Sequence, residues 1–172
     1  MNSKKLLYIV FAIFLLFQPN KAVAQDYMSA TFDFVKALIG GGNSLGKTLH
    51  QVRQESELFL ACTRISGDTV EYACSEEDEG YQYVEIYKFI NNICIERFVM
   101  HDDEMGGYLK DAFDVTIDVV NEASKRGTIL NPIVFPNRLK FNYLGCNVNI
   151  VIESDGKHFT LYSTYTAALK FK

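Results

Sequence analysis

The chain has 172 residues, of which 48% are hydrophobic and 22% are charged, and it contains 11 glycines and 3 prolines. This composition is typical of a folded globular domain and excludes a collagen-like, low-complexity or disordered chain. With 17 basic and 21 acidic residues the formal net charge is −4, so the chain lacks the basic excess that drives binding to nucleic acid, and no nucleic-acid partner is expected.

The first 24 residues have the pattern of a signal peptide. Two lysines within residues 1–5 precede an unbroken apolar run at residues 6–17, and Ala22-Val23-Ala24 supplies the small residues that a signal peptidase requires. The apolar run rises about 18 Å as a helix, short of the roughly 30 Å hydrocarbon core, so no integral membrane segment is expected after cleavage. The junction resembles signal peptides of Bacteroidetes-type bacteria, and no cysteine lies near it to carry a lipid. We expect cleavage after Ala24 and a periplasmic or secreted bacterial protein.

Cleavage would remove Lys4, Lys5 and Lys21 but no acidic residue, which leaves 14 basic against 21 acidic residues and a net charge of −7. This balance favours a basic partner electrostatically and disfavours anionic lipid surfaces. Residues 25–172 are predicted to form a single α+β domain, a length that can fold without disulfides.

Two short helices are predicted at the start of this domain. Apolar residues within 26–39 recur at helical spacing until three glycines, Gly40-Gly41-Gly42, stop the pattern. Ser44 is a candidate N-cap for a second helix, which ends around Glu57.

The segment between these helices, Gly41–Thr48, satisfies the P-loop pattern GxxxxGK[ST]. In a nucleotide triphosphatase Lys47 would reach the β- and γ-phosphates and Thr48 would hold Mg²⁺. The preceding residues indicate a helix rather than a buried strand, and antiparallel hairpins cannot supply the parallel sheet that positions such a loop. We therefore interpret the segment as a glycine hinge before a capped helix, with Lys47 in solvent.

Two hairpins are predicted after residue 57. Runs 58–65 and 69–74 flank a Ser66-Gly67-Asp68 turn, and runs 81–90 and 93–100 flank Asn91-Asn92. An acidic loop is expected between the two hairpins, over residues 75–80.

Cys62 and Cys74 lie almost symmetrically about the first turn, so a disulfide between them would face across the hairpin. The alternative is that these two cysteines, together with Cys94 and Cys146, are small buried hydrophobic residues.

The clearest helical pattern runs from Met105 to Val120 and ends before Gly127, with His101-Asp102-Asp103 as N-cap candidates. Acidic residues at its start and Lys125-Arg126 at its end complement the helix dipole.

An irregular connection bounded by Pro132 and Pro136 is predicted to follow, and then a hairpin of runs 139–153 and 157–166. A turn at Asp155-Gly156 would oppose Ile152 to Phe159 and Ile150 to Leu161.

These elements predict an α+β fold: an antiparallel sheet of about six strands in three hairpins, two short N-terminal helices, and one long helix inserted before the last hairpin, all packed on one face. The helix pair before antiparallel hairpins resembles, in topology, small bacterial envelope modules of the β-lactamase-inhibitor-protein type. The resemblance implies neither a partner nor site residues.

No cofactor or metal is expected. The acidic runs at 76–79 and 101–104 lack EF-hand spacing, and the three histidines, His50, His101 and His158, lie on separate elements. No GxSxG motif or carboxylate pair marks a catalytic centre. The enzymatic alternative is a small envelope hydrolase that pairs one of the cysteines with a histidine.

Aromatic and amide side chains on the strands give the candidate binding surface: Tyr81, Tyr83, Tyr87, Asn147, Asn149 and Tyr162. Aromatic residues provide contact area at low entropic cost, so we expect another protein or an envelope ligand to bind an open sheet face or strand edge. The structural alternative is that tyrosine simply favours strands and keeps its hydroxyl in water. The functional hypotheses are a non-catalytic binding protein, an inhibitor or immunity-type protein against a basic toxin or hydrolase, and the hydrolase.

Overall fold

The computed structural model describes residues 21–55, 62–65, 70–78, 81–103 and 107–168. The chain separates into two compact units, residues 1–34 and residues 35–172. Of the first unit, residues 21–34 are described and are helical. The sheet and the remaining helices belong to the second unit. No helix among the described residues is long and apolar enough to span a membrane.

The described residues form three α-helices, one 3-10 helix and eight strands. The helices are α1 (Lys21–Gly40), the 3-10 helix (Gly41–Ser44), α2 (Leu49–Glu55) and α3 (Tyr108–Lys125). The strands are β1 (Thr63–Ile65), β2 (Val70–Asp78), β3 (Tyr81–Ile90), β4 (Ile93–Asp103), β5 (Leu130–Phe135), β6 (Arg138–Tyr143), β7 (Cys146–Ser154) and β8 (Phe159–Ala167).

All eight strands form one antiparallel sheet in the order β1-β2-β3-β4-β8-β7-β6-β5. The first four strands make one meander and the last four make another, and each meander follows a helix. The two meanders join where β4 pairs with β8, with Val99 opposite Ser163. Because α3 returns the chain to the far side of the sheet, β5 lies at one edge and β1 at the other.

The core lies between the helices and one face of the sheet, here called the helix-packed face. The buried side of α3 carries Leu109, Phe113 and Val120 at helical spacing, and α3 contacts β4, β5, β7 and β8. A smaller cluster lies under α2, where Val52 packs with residues of β2, β3 and β4: Tyr72, Cys74, Tyr87, Phe89 and Cys94. The opposite face, which carries Asn149 and Thr164, is called the open face.

The predicted α+β class and antiparallel sheet are confirmed. Asn91 and Asn92 have φ values of 50° and 66° and form the turn between β3 and β4, because asparagine tolerates left-handed backbone. The long helix ends before Gly127, whose φ is 73°. The predicted turn at residues 66–68 lies outside the described residues.

The predicted count of about six strands is wrong. The run 139–153 is two strands, because Leu144 and Gly145 adopt φ values of 49° and 77° and turn the chain. The apolar alternation that includes Leu144 conceals this turn. The connection expected between Pro132 and Pro136 is β5, where a bulge accommodates Pro132 at a sheet edge that needs no N–H from it.

The prediction of two short N-terminal helices is also wrong, because α1 has 20 residues and only α2 is short. The helix α1 contains the expected cleavage site after Ala24, and the signal peptide stays a prediction. The second helix is capped by Thr48 rather than Ser44. The Thr48 hydroxyl accepts from the Gln51 amide at 3.3 Å, while Gln51 Oε1 accepts from the Thr48 amide at 2.8 Å.

Two other predicted boundaries are wrong for one reason: β2, β3 and β4 pair to their ends. Asp78 pairs with Tyr81, and Tyr81 pairs with Asp103. Glu76 to Asp78 are therefore strand rather than loop, and His101 to Asp103 are strand rather than helix cap. The helix α3 begins at Tyr108, after Gly107.

The register of the last hairpin is shifted by two residues from the predicted one: Ile152 pairs with Leu161 rather than with Phe159. The Asp155 carboxylate accepts from the amides of Lys157 and His158, both at 2.8 Å. These bonds stabilise a four-residue loop in place of a two-residue turn. A shift of two keeps every side chain on its face.

The 3-10 helix is held against the sheet at Gly41. The Tyr165 hydroxyl donates to the Leu38 carbonyl and Arg97 Nη1 donates to the Gly41 carbonyl, both at 2.8 Å. A Cβ atom on Gly41 would lie 2.3 Å from the Tyr165 ring, whereas one on Gly40 would meet nothing within 4 Å.

We predict that Gly41→Ala lowers the free energy of unfolding by about 1–3 kcal/mol, because the buried Tyr165 ring cannot move aside without breaking its bond to Leu38. The matched control Gly40→Ala changes it by less than about 1 kcal/mol. Urea unfolding measures both variants. Equal stability of the two would contradict the close packing at Gly41.

Candidate functional site

The P-loop-like segment lies between two helices, not between a strand and a helix. Its backbone is paired with β4: the Gly46 amide donates to the Cys94 carbonyl at 2.8 Å, and the Cys94 amide donates to the Lys47 carbonyl at 2.9 Å. The Lys47 ammonium forms an ion pair with Glu55 instead of standing alone in solvent. Thr48 is occupied as the cap of α2. The segment therefore acts as a connector that adds to the sheet.

The predicted binding residues divide between the two faces of the sheet. Side chains two residues apart on a strand share a face, as do residues paired across strands. Tyr81, Tyr83 and Tyr87 share the helix-packed face. The open face carries the remaining three, Asn147, Asn149 and Tyr162, as the pairing of Asn149 with Thr164 on β8 requires.

The helix-packed tyrosines surround a buried carboxylate. Glu85 is 3% exposed and accepts hydrogen bonds from the hydroxyls of Tyr83 and Tyr87 and from the Arg97 guanidinium. We call these four residues the Glu85 cluster. The guanidinium of Arg97 also lies 5.9 Å from the Tyr165 ring centroid. Every described contact of the cluster is internal to the core.

The electrostatics of the Glu85 cluster stabilise the protonated forms of Tyr83 and Arg97. Burial, together with the charge of Glu85, raises the pKa of Tyr83. Burial acts to lower the pKa of Arg97, but the combined attraction of Glu85, Tyr87 and Tyr83 outweighs it and raises this pKa above its usual range. The pair is therefore a buried ion pair rather than an acid and base poised to exchange a proton.

His101 extends this polar row on β4. It is 8% exposed. Its Nδ1 lies 2.5 Å from the Tyr81 hydroxyl, and its ring centroid lies 4.8 Å from that of Tyr83. Burial, followed by repulsion from Arg97, lowers the pKa of His101 to about 4. The imidazole is therefore neutral and packed at pH 7.

The cysteines do not form a thiol centre in the described part of the chain. Cys62 and Cys74 come to disulfide distance, with Cα atoms 4.2 Å apart, directly across the extended register of β1 and β2. Cys94 and Cys146 are free and buried, and burial raises the pKa of both thiols. A catalytic thiol needs a lowered pKa. Among the described residues no cluster of three or more metal-ligating side chains occurs.

The open face carries a shallow depression of about 500 Å³ that is lined by both polar and apolar groups. Its residues come from β5 to β8: Asn131, Ile133, Lys140, Phe141, Asn142, Asn147, Val148, Asn149, Thr164 and Thr166. A chain of side-chain amides crosses it, with Asn131 donating to Asn142 at 3.0 Å and Asn142 donating to Asn147. Beside it, the Tyr162 ring centroid lies 6.1 Å from that of Phe98.

The edge strand β5 exposes apolar side chains on both faces. The exposed fractions are 56% for Leu130, 50% for Ile133, 42% for Val134 and 52% for Phe135. The register places Ile133 and Phe135 on the open face beside Lys140 and Arg138 of β6. We call these six residues the β5 edge. Soluble proteins rarely leave an apolar edge strand uncovered.

The two cations of the β5 edge are unpaired. Both side chains are exposed, and neither forms an ion pair with any residue that the structure describes. This site was not predicted from the sequence, because an irregular connection was expected between Pro132 and Pro136. The run Ile133-Val134-Phe135 was the available signal, since three adjacent apolar residues with high strand propensity favour a strand.

In comparisons with known proteins, no family model, no curated protein and no solved structure matches this chain. The candidate site therefore depends on the geometry alone.

We predict that Glu85→Gln lowers the free energy of unfolding by about 3–5 kcal/mol, because it leaves the Arg97 charge buried and uncompensated. The control Glu71→Gln removes a half-buried carboxylate 3.6 Å from Lys88 and lowers stability by at most about 1 kcal/mol. Urea unfolding at pH 7 compares them. A small effect of Glu85→Gln would contradict a buried ion pair.

The lowered pKa of His101 predicts a pH dependence of stability. The folded pKa of about 4 lies below the usual 6.5, so the unfolded chain binds the proton more tightly. The stabilisation is complete above pH 6.5 and is lost as the pH falls toward 4. Between pH 7.5 and pH 5 the free energy of unfolding of the wild type should fall by about 1–2 kcal/mol more than that of His101→Gln. The exposed His158→Gln variant is the control, and identical pH profiles for wild type and His101→Gln would refute the assignment.

Proposed function

We propose that this chain is a non-catalytic binding protein that takes up an extended segment of another protein along the β5 edge. The observation that carries the proposal is the exposure of Ile133, Val134 and Phe135 on a strand that is last in its sheet. In strand addition, main-chain hydrogen bonds supply affinity and alternate side chains supply specificity.

The backbone of β5 supports pairing over a short stretch. A two-residue turn at Pro136 and Asn137 joins Phe135 to Arg138, the first pair of the β5–β6 ladder. Because the pair flanking such a turn exchanges its hydrogen bonds, the N–H and C=O groups of Val134 point away from β6. Pro132 has no N–H to donate, and the bulge beside it ends the regular register. A partner strand would therefore pair over Ile133 to Phe135.

The side chains support the same proposal. Val134 lies on the helix-packed side of β5, and Ile133 and Phe135 lie on the open side, so an added strand would find apolar contacts on both of its faces. The depression on the open face, which Ile133 also lines, extends the surface that alternate side chains of the added strand can contact. From the signal-peptide pattern of residues 1–24 we further propose that this role is carried out in the bacterial cell envelope or outside the cell.

The other two hypotheses gain no support from the described residues. The hydrolase needs a reactive thiol, whereas burial raises the pKa of both Cys94 and Cys146. An inhibitor of a basic toxin needs an acidic docking surface, and the β5 edge, whose charges are Arg138 and Lys140, does not provide one.

Random dodecapeptides displayed on phage test the proposal when they are selected on the purified protein. We expect the selected peptides to contain alternating apolar residues. Their binding should change the NMR chemical shifts of the protein's amides in β5. Val134→Pro should weaken their binding at least tenfold. Proline removes the outward-facing N–H that Val134 would donate to an added strand. At a sheet edge this replacement breaks no hydrogen bond within the sheet.

Ile90→Glu is the control that matches the β5 variant Phe135→Glu. Ile90 is 46% exposed at the far end of β3, so its replacement should leave peptide binding unchanged. Phe135→Glu gives an independent side-chain test and should weaken binding. Shift changes confined to Asn149 and Thr164, or binding that survives both β5 variants, would assign the site to the open face and contradict strand addition. Selection of no peptide would contradict polypeptide binding.

A further inference from the structure

The β5 edge is positively charged within an acidic protein. The chain carries a formal charge of −4, yet the only charged side chains on β5 and β6 are Arg138 and Lys140. Acidic side chains of the sheet lie mainly in the other meander, for example Glu71 and Glu76 on β2. This distribution places a basic patch next to exposed apolar side chains, with Glu153 on β7 as the one carboxylate on the described strands of this meander.

We propose that the segment bound at the β5 edge is an acidic strand in which carboxylates alternate with apolar residues. This inference rests on the proposed function and adds the chemistry of its partner. Opposite charges on the two surfaces steer association and select among partners. The exposed Arg138 and Lys140, which form no ion pair with a described residue, provide the complementary charge.

The strand geometry places the two charges within reach. Neighbouring strands lie about 4.8 Å apart, so a strand added to β5 lies about 10 Å from β6. The side chains of Arg138 and Lys140 share the open face with Ile133 and Phe135. Their aliphatic stems can cross these two apolar residues while the charged ends reach a glutamate on the added strand. The alternate side chains of that strand then share the face of Val134, where apolar residues fit.

A second copy of this chain is a poorer occupant of the same edge. The strand β5 carries no carboxylate, its sequence being Leu-Asn-Pro-Ile-Val-Phe. Pairing two β5 strands would bring Arg138 and Lys140 of each copy toward the β5 strand of the other copy. That strand offers no negative charge to either side chain. An acidic segment neutralises the patch, whereas a second β5 doubles it.

Three blocked nonapeptides provide the test, in which valine alternates with glutamate, glutamine or lysine. Isothermal titration at low salt should give the tightest binding for the glutamate peptide, about three- to tenfold tighter than the glutamine peptide, and the weakest for the lysine peptide. At 0.5 M salt the difference between the glutamate and glutamine peptides should shrink to less than about twofold.

Charge reversal sharpens the comparison. The variant Arg138→Glu/Lys140→Glu should reverse the order, so that the lysine peptide binds more tightly than the glutamate peptide. The control Arg64→Glu/Lys88→Glu changes the net charge equally, on β1 and β3, and should keep the wild-type order. Circular dichroism and size-exclusion chromatography show whether each variant remains folded and monomeric.

The outcomes separate this inference from the proposed function. Equal binding of all three peptides, abolished by Val134→Pro, would overturn the acidic partner and leave strand addition standing. Failure of all three peptides to bind would overturn both. Self-association of the wild type that Val134→Pro abolishes would assign the β5 edge to a second copy and overturn the acidic partner.

Discussion

The pairing of β4 with β8 is the constraint on which the rest of the structure depends. Each meander alone would be a four-stranded sheet with two open edges. Joining β4 to β8 closes one edge of each and makes a single helix-packed face that α3 covers. The centre of this ladder is buried: Val99 is 3% exposed and its partner Ser163 is fully buried. The same pairing places β5 at a free edge, so the candidate site is a consequence of the topology.

The two meanders carry different kinds of side chain on the helix-packed face. On β7 and β8 the helix-packed side chains are mostly apolar, and α3 buries them. On β3 and β4 a tyrosine-rich polar row replaces them, centred on the ion pair of Glu85 and Arg97. Removing these charges from water is unfavourable, but Glu85 accepts three hydrogen bonds and Arg97 also binds the Gly41 carbonyl. The cluster thus anchors the linker between α1 and α2 in one position.

Local chemistry made much of the fold predictable. Tolerance of asparagine for left-handed backbone located the turn between β3 and β4, and the apolar stripe of α3 located the long helix and its end at Gly127. Leu144 was not predictable, because an exposed leucine at φ 49° violates the usual preference of such turns. The strand β5 was hidden by Pro132 within it and by Pro136 directly after it. Proline is excluded from central strands but tolerated at an edge, and only the tertiary topology makes β5 an edge.

The candidate sites illustrate a further limit. Alternation along β3 correctly puts Tyr81, Tyr83 and Tyr87 on one face, but which face the helices cover is a long-range property. The contact of Glu85 with Arg97 likewise depends on register across two strands. The β5 edge could have been found only by combining its apolar run with knowledge that no strand follows it in the sheet.

The central claim is that β5 is an open edge which takes up a strand, and amide hydrogen exchange of Val134 tests it most directly. The account predicts rapid exchange of the Val134 amide in the free protein, slow exchange of the Val99 amide in β4, and at least tenfold slowing at Val134 alone when a selected peptide saturates the protein. A Val134 amide that is already protected in the free protein, or that a bound peptide leaves unchanged, would contradict the claim.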